Sequence, residues 1–101
     1  MRLSSRKKHK AGRVARMLKV LSNPTRLMIC CLLKDRELFA QEILMSLGTT
    51  KGNISQHIKL LILHDVIDFR KEGARIYYRV KDPRLATLIT QLETMYCGGK
   101  P

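Results

Sequence analysis

The segment Thr49–Leu63, TTKGNISQHIKLLIL, has two faces of opposite character when wound as a helix. Ile54, Ile58 and Leu61 fall at the i, i+4, i+7 spacing of a buried stripe. Gly52, Ser55, Gln56 and Lys59 fall on the other side, a short polar row without a carboxylate. A helix that reads base edges needs hydrogen-bonding side chains of this reach, with positive charge nearby for phosphates. Gly52 leaves the backbone open to close approach, and Thr50 suits the N-cap. Alone, the pattern equally describes an ordinary amphipathic surface helix. The neighbouring sequence separates the two.

Immediately upstream, Leu47-Gly48-Thr49 reads as a tight turn in which Gly48 supplies a positive φ. Before it, a helix over about Phe39–Ser46 turns Ile43, Leu44 and Leu47 inward. Two helices joined by a short glycine-containing turn form a helix-turn-helix, whose second helix enters the major groove. Downstream of Asp65 the apolar period drops from 3.6 to about 2. Val66–Arg70 and Ile76–Val80 read as strands of a hairpin joined by residues 71–75, with Arg70, Lys71 and Arg75 projecting. A helix-turn-helix followed by a basic hairpin is a winged helix. The candidate DNA-contacting set is therefore Thr50, Lys51, Gly52, Asn53, Ser55, Gln56, His57 and Lys59 on the helix, with Arg70, Lys71, Arg75 and Tyr77 on the wing.

Towards the N-terminus, residues 1–10 read as a basic, flexible arm. From Ala11 a helix places Val14, Met17, Leu18 and Leu21 on one face. Asn23-Pro24 ends it and starts a nearly all-apolar second helix over Thr25–Lys34. At the other end Asp82-Pro83 opens a last helix carrying Leu85, Leu88, Ile89, Leu92, Met95 and Tyr96. The expected fold is mainly α with a small β-hairpin (α+β), a winged helix-turn-helix of order ααααββα. It divides into the arm 1–10, a DNA-binding and dimerisation domain 11–97, and a short tail 98–101. The stripes of the first and last helices are too apolar for water, and a homodimer would cover them. Such a dimer sets two recognition helices ~34 Å apart, the spacing of a palindromic operator.

With 101 residues the chain is one small domain, in the size range where oligomerisation often adds stability. Its 20 Lys+Arg against 8 Asp+Glu give a formal charge of +12. Residues 1–34 hold ten of the basic residues and none of the acids. That balance favours a polyanionic partner, double-stranded DNA ahead of a membrane surface. No apolar run nears the roughly 20 residues of a membrane span. The start MRLSSRKKHK lacks a signal peptide's apolar segment, so a cytoplasmic location is expected. The three cysteines, Cys30, Cys31 and Cys97, form no disulfide framework or CxxC pair. No carboxylate pair, nucleophile motif or phosphate loop points to an enzyme.

The segments Leu21-Ser22-Asn23-Pro24-Thr25-Arg26-Leu27 and Ile54-Ser55-Gln56-His57-Ile58, with Leu61 and the wing Gly73–Tyr78, resemble the ArsR/SmtB family of bacterial transcriptional regulators. The resemblance runs over residues 14–97. It implies a homodimeric repressor that leaves its operator when an inducer reaches a sensing site. Metal-sensing members would carry Cys-x-Cys where this chain has Phe39 and Gln41. A zinc-type site would need four ligands where Asp82, Arg84, Met95 and Gly98 stand, and one carboxylate does not hold zinc. His9, His57 and His64 are not spaced as ligands, so no metal or other cofactor is expected; His57 is placed as a positioner of the recognition helix.

What remains is similar to the thiol-sensing branch of the family, the BigR, SqrR and HlyU regulators. The resemblance implies sensing at Cys31 in the second helix and at Cys97 in the Tyr-Cys ending, with reactive sulfur species or oxidants as inducer. Oxidation would give a disulfide or polysulfide bridge that weakens operator binding. Cys30 reads as a small core residue. Two alternatives stay open: the same regulator with a metal inducer at an unrecognised site or with none, and a non-specific nucleic-acid-binding or adaptor winged helix.

Overall fold

The computed structural model describes residues 2–96. Its elements are helix α1 (Ser5–Leu21), helix α2 (Pro24–Leu33), strand β1 (Leu38–Phe39), helix α3 (Ala40–Leu47), helix α4 (Lys51–Leu63), strands β2 (Ile67–Glu72) and β3 (Arg75–Val80), and helix α5 (Pro83–Tyr96). The fold is the expected one, mainly α with a winged hairpin.

The helix starts are set by side-chain caps that take up otherwise unpaired backbone N–H groups. Asn23 Oδ1 accepts from Thr25 N and Arg26 N at 2.9 and 3.1 Å, with Pro24 in the first turn of α2. Thr50 Oγ1 accepts from Asn53 N at 3.2 Å, and Asp82 Oδ1 from Arg84 N at 2.8 Å. Gly48 closes α3 at φ 65°, the left-handed conformation that the turn of the helix-turn-helix requires.

Two boundaries differ from the sequence reading. The N-terminal arm is not separate from the first helix, because Ser4 Oγ accepts from Lys7 N and α1 begins at Ser5 rather than Ala11. Lys, Arg and Ala are good helix formers, so these turns need no apolar stripe to wind. Phe39, read as the start of the third helix, instead lies in a strand with Leu38, and the two pair antiparallel with Tyr77 and Tyr78. The result is a three-stranded sheet of order β1-β3-β2, in which Ile67 stands opposite Val80 and Glu72 opposite Arg75.

The core lies between the helices and one face of this sheet. Ile29, Cys30 and Leu33 of α2 occupy its centre, with Ile43, the α4 stripe Ile54, Ile58 and Leu61, and Val66 and Ile67. Alternation puts Leu38, Ile67, Tyr78 and Val80 on the core face and Phe39, Asp68, Arg70, Glu72, Arg75, Tyr77 and Arg79 on the outer face.

The apolar stripes of the terminal helices split in two. Leu21, Leu85 and Ile89, read as dimer contacts, are buried in the subunit's own core. Met17 and Leu92 are half-buried, whereas Val14, Leu18, Leu88, Met95 and Tyr96 remain exposed. A stripe on these helices is wider than one contact needs, and its inner edge packs at home. Among the described residues no helix is long and apolar enough to cross a membrane.

Candidate nucleic-acid interface

Helix α4 presents the row read from the sequence. Lys51, Gly52, Asn53, Ser55, Gln56 and Lys59 are exposed, while Ile54, Ile58 and Leu61 are buried beneath them. A Cβ placed on Gly52 would meet no protein atom within 4 Å, so the space over its backbone opens outward. Asn53 Nδ2 donates to Thr49 Oγ1 at 3.2 Å, which fixes the first turn to the residue before the cap. Ser55 and Gln56 make no side-chain hydrogen bond among the described residues and are available as donors and acceptors.

His57 sits elsewhere than a base reader would. It is half-buried, with Nδ1 3.4 Å from Arg26 Nη1. Arg26 Nε also donates to the carbonyl of Val20, so one guanidinium joins the end of α1, the start of α2 and the middle of α4. Burial first, and the Arg26 charge second, hold the His57 pKa below its ordinary 6.5. The ring is therefore neutral near pH 7. A guanidinium only donates, so Nδ1 is the acceptor and Nε2 carries the proton. His57 thus ties α4 to the α1–α2 junction instead of standing on the exposed face of the helix.

The wing also divides. Its turn is only Gly73 and Ala74, with Gly73 at φ 62°, the glycine-first pattern of a tight hairpin. Lys71 and Arg75 thus lie in the strands next to the turn rather than in a five-residue loop. Arg70, read as a projecting cation, is held down: Nε donates to Glu37 at 2.8 Å and Nη1 to Glu72 at 2.9 Å. Its guanidinium also lies 4.8 Å from the centroid of the Tyr77 ring. Tyr77 in turn meets Phe39 edge-on at 5.7 Å, so it is a packing residue of the outer sheet face and not a reaching one. Arg79 pairs with Asp68 at 2.9 Å. Arg75 stacks over Phe39 at 4.3 Å and, like Lys71, has no carboxylate in salt-bridge range among the described residues. Lys71 and Arg75 are thus the wing cations without a carboxylate partner among the described residues.

Glu37 and Arg26 were not legible as part of this site. Both act on partners more than thirty positions away, and no local spacing marks such a pair.

The two adjacent cysteines have different surroundings. Cys30 is fully buried, and burial with the neighbouring Cys31 pushes its pKa up to about 12. At neutral pH its sulfur is protonated and poorly nucleophilic, the inert core residue expected. Cys31 is half-buried on the same helix. Cys97 lies outside the described residues. The carboxylate of Asp82 is gripped by Arg84, whose Nη2 donates at 2.8 Å, and that contact lowers the Asp82 pKa. Among the described residues, no group of three His, Cys, Asp or Glu could hold a metal ion.

Residues 21–68 match the family model of a helix-turn-helix domain. The transcriptional activator HlyU of Vibrio cholerae is 31% identical over 96% of this chain and 89% of its own length. The crystal structure of the transcriptional repressor BigR from Xylella fastidiosa superposes with a TM-score of 0.80 at 29% identity, over 94% of each chain. The homodimeric winged helix-turn-helix domain of a possible ArsR-family regulator from Mycobacterium bovis does so at 0.80 and 30%, over 91% of this chain and 85% of that one.

Proposed function

Since the chain belongs to the ArsR family of winged helix-turn-helix transcriptional regulators, in the branch of BigR and HlyU, and is not an enzyme, we propose that it is a homodimeric repressor with a palindromic operator, released by thiol oxidation. The observation that carries the DNA-binding part is the outer row of α4. It is exposed, free of carboxylates, and backed by Lys71 and Arg75 on the wing. Gln56 and Ser55 read base edges, Gly52 admits the phosphate backbone, and Lys51, Lys59, Lys71 and Arg75 neutralise phosphates.

The dimer covers the part of the terminal stripes that the subunit leaves bare. Val14, Leu18, Leu88, Met95 and Tyr96 are five large apolar side chains on two helices. A monomer would hold them in water. The M. bovis relative is itself homodimeric, which supports the same use here.

The sensing part rests on chemistry and on one contact. Of the two α2 thiols, only Cys31 escapes the full burial that disables Cys30. Lys34 Nζ lies 3.4 Å from Glu93 Oε1, which ties the end of α2 to the last turns of α5. In the sequence Cys31 precedes Lys34 by three positions and Cys97 follows Glu93 by four. An oxidant such as a polysulfide would take two electrons and two protons from the pair as the bridge forms. A bridge needs Cα atoms within about 7 Å, so it would pin the chain that follows α5 to α2 and bias the dimer geometry through that helix.

The test is operator affinity by fluorescence anisotropy, with DNA from the protein's own promoter, for reduced and polysulfide-treated protein. Cys31→Ser and Cys97→Ser run in parallel. A large loss in the wild type that both variants lack supports the switch. Equal affinity in both states, with mass spectrometry showing that the thiols reacted, leaves a regulator with another inducer or none.

A further inference from the structure

The winged module carries little unneutralised charge for a DNA-binding surface. Arg70 and Arg79, two of its arginines, are spent on Glu37, Glu72 and Asp68. The largest block of free cations lies elsewhere, at the beginning of α1. Arg2, Arg6, Lys7, Lys8, Lys10 and Arg13 follow one another with no carboxylate before Asp35. Every residue from 2 to 11 is exposed, and no salt bridge among the described residues involves any of them.

The placement of these cations is electrostatically unfavourable in the isolated protein. The N-terminus of a helix carries partial positive charge, and anions stabilise it. Here the first turn is Ser5-Arg6-Lys7-Lys8, with no acidic residue. Gly12 follows within the helix and weakens the same stretch. Only the Ser4 cap favours this end, and none of residues 2–13 belongs to the hydrophobic core among the described residues. A polyanion laid along it would offset both the mutual repulsion and the dipole.

We propose that residues 2–13 form a second, sequence-independent contact with the DNA phosphate backbone, flanking the duplex read by α4. The assignment rests on the DNA-binding reading above and extends it. The recognition helix supplies base discrimination, and the arm adds a second, separate share of the counterion release. DNA binding also stabilises the first turns of α1.

The test compares the full-length reduced protein with the variant R6Q/K7Q/K8Q/K10Q, in which glutamine keeps helix propensity. Affinities for the promoter duplex and for a random duplex are measured over a series of salt concentrations. The expected result is a fall of about two or more in the slope of log affinity against log salt on both duplexes, at about 0.9 per phosphate released. The ratio of promoter to random affinity stays unchanged. A slope change below about two overturns the arm. A wild type without preference for the promoter duplex refutes the repressor reading instead, and the slope on random DNA still decides the arm. Should the variant fail to fold by circular dichroism, hydrogen exchange on the wild type replaces it. Amides of residues 5–11 are expected to gain protection on adding random duplex, and unchanged exchange there overturns the proposal.

Discussion

Arg26 and His57 meet at 3.4 Å across thirty-one positions of sequence, and the same guanidinium reaches back to the carbonyl of Val20. The contact fastens α4 to the α1–α2 junction and needs a neutral ring. Its removal is expected to show in stability. Arg26→Met should cost about 1.5–3 kcal/mol in urea unfolding, the range for hydrogen bonds that involve a charged group. Arg26→Lys should not restore it, since an ammonium lacks the fork that serves both acceptors.

The same pair predicts a pH dependence with a definite sign. The folded-state pKa of His57 lies below 6.5, so the unfolded chain binds more protons between those two values. Stability then rises with pH through that window. It declines as pH falls below about 6.5 and levels off once the folded-state value is passed. His57→Gln should flatten this component in unfolding curves taken across the window. An unaltered pH profile would show that another group is responsible.

Gln56 is expected to discriminate bases. Gln56→Ala should weaken the promoter duplex by about 1–3 kcal/mol and relax preference at the position it reads. Equal losses on promoter and random DNA, measured by anisotropy, would remove it from the readers.

Arg70 and Arg75 of the wing should separate in salt titrations. Arg75→Ala is expected to weaken all duplexes alike and lower the salt slope of the dimer by about two, about one for the phosphate no longer neutralised in each subunit. Arg70→Ala should leave the slope nearly intact, because its charge is already matched by Glu37 and Glu72. A slope that falls equally in both would show that these ion pairs open on DNA.

The adjacent thiols should differ in reactivity by orders of magnitude. Alkylation of the reduced protein with iodoacetamide, read by mass spectrometry, is expected at Cys31 long before Cys30, whose pKa stands at about 12. Cys30→Ser should also destabilise by about 1–3 kcal/mol, since a hydroxyl there enters an apolar core. Fast modification of Cys30 would indicate that α2 opens readily.

Much of this architecture was legible because its signals are local. Asn23, Thr50 and Asp82 cap the helices they precede, Gly48 takes the positive φ of the turn, and Ile54, Ile58 and Leu61 lie on the buried face. The illegible parts are those decided by distant partners. β1 exists only because Tyr77 and Tyr78 pair with it, and two residues carry no period. Arg70 reads as a free wing cation until Glu37 is brought beside it by the sheet. Leu21, Leu85 and Ile89 share a helical face with residues that stay exposed, and only packing tells which edge turns inward.

The Glu37–Arg70 contact joins the segment entering the helix-turn-helix to the wing, while Phe39 meets Tyr77 edge-on and lies under Arg75 across the same junction. The entry of the helix-turn-helix and the wing are therefore braced into one stiff head. Bending such a head would break several contacts at once, whereas two heads can change their separation by sliding at a bare apolar seam. In the proposed dimer, an inducer works as a change of gauge: the heads keep their shape, and the distance between them stops matching the pitch of the duplex.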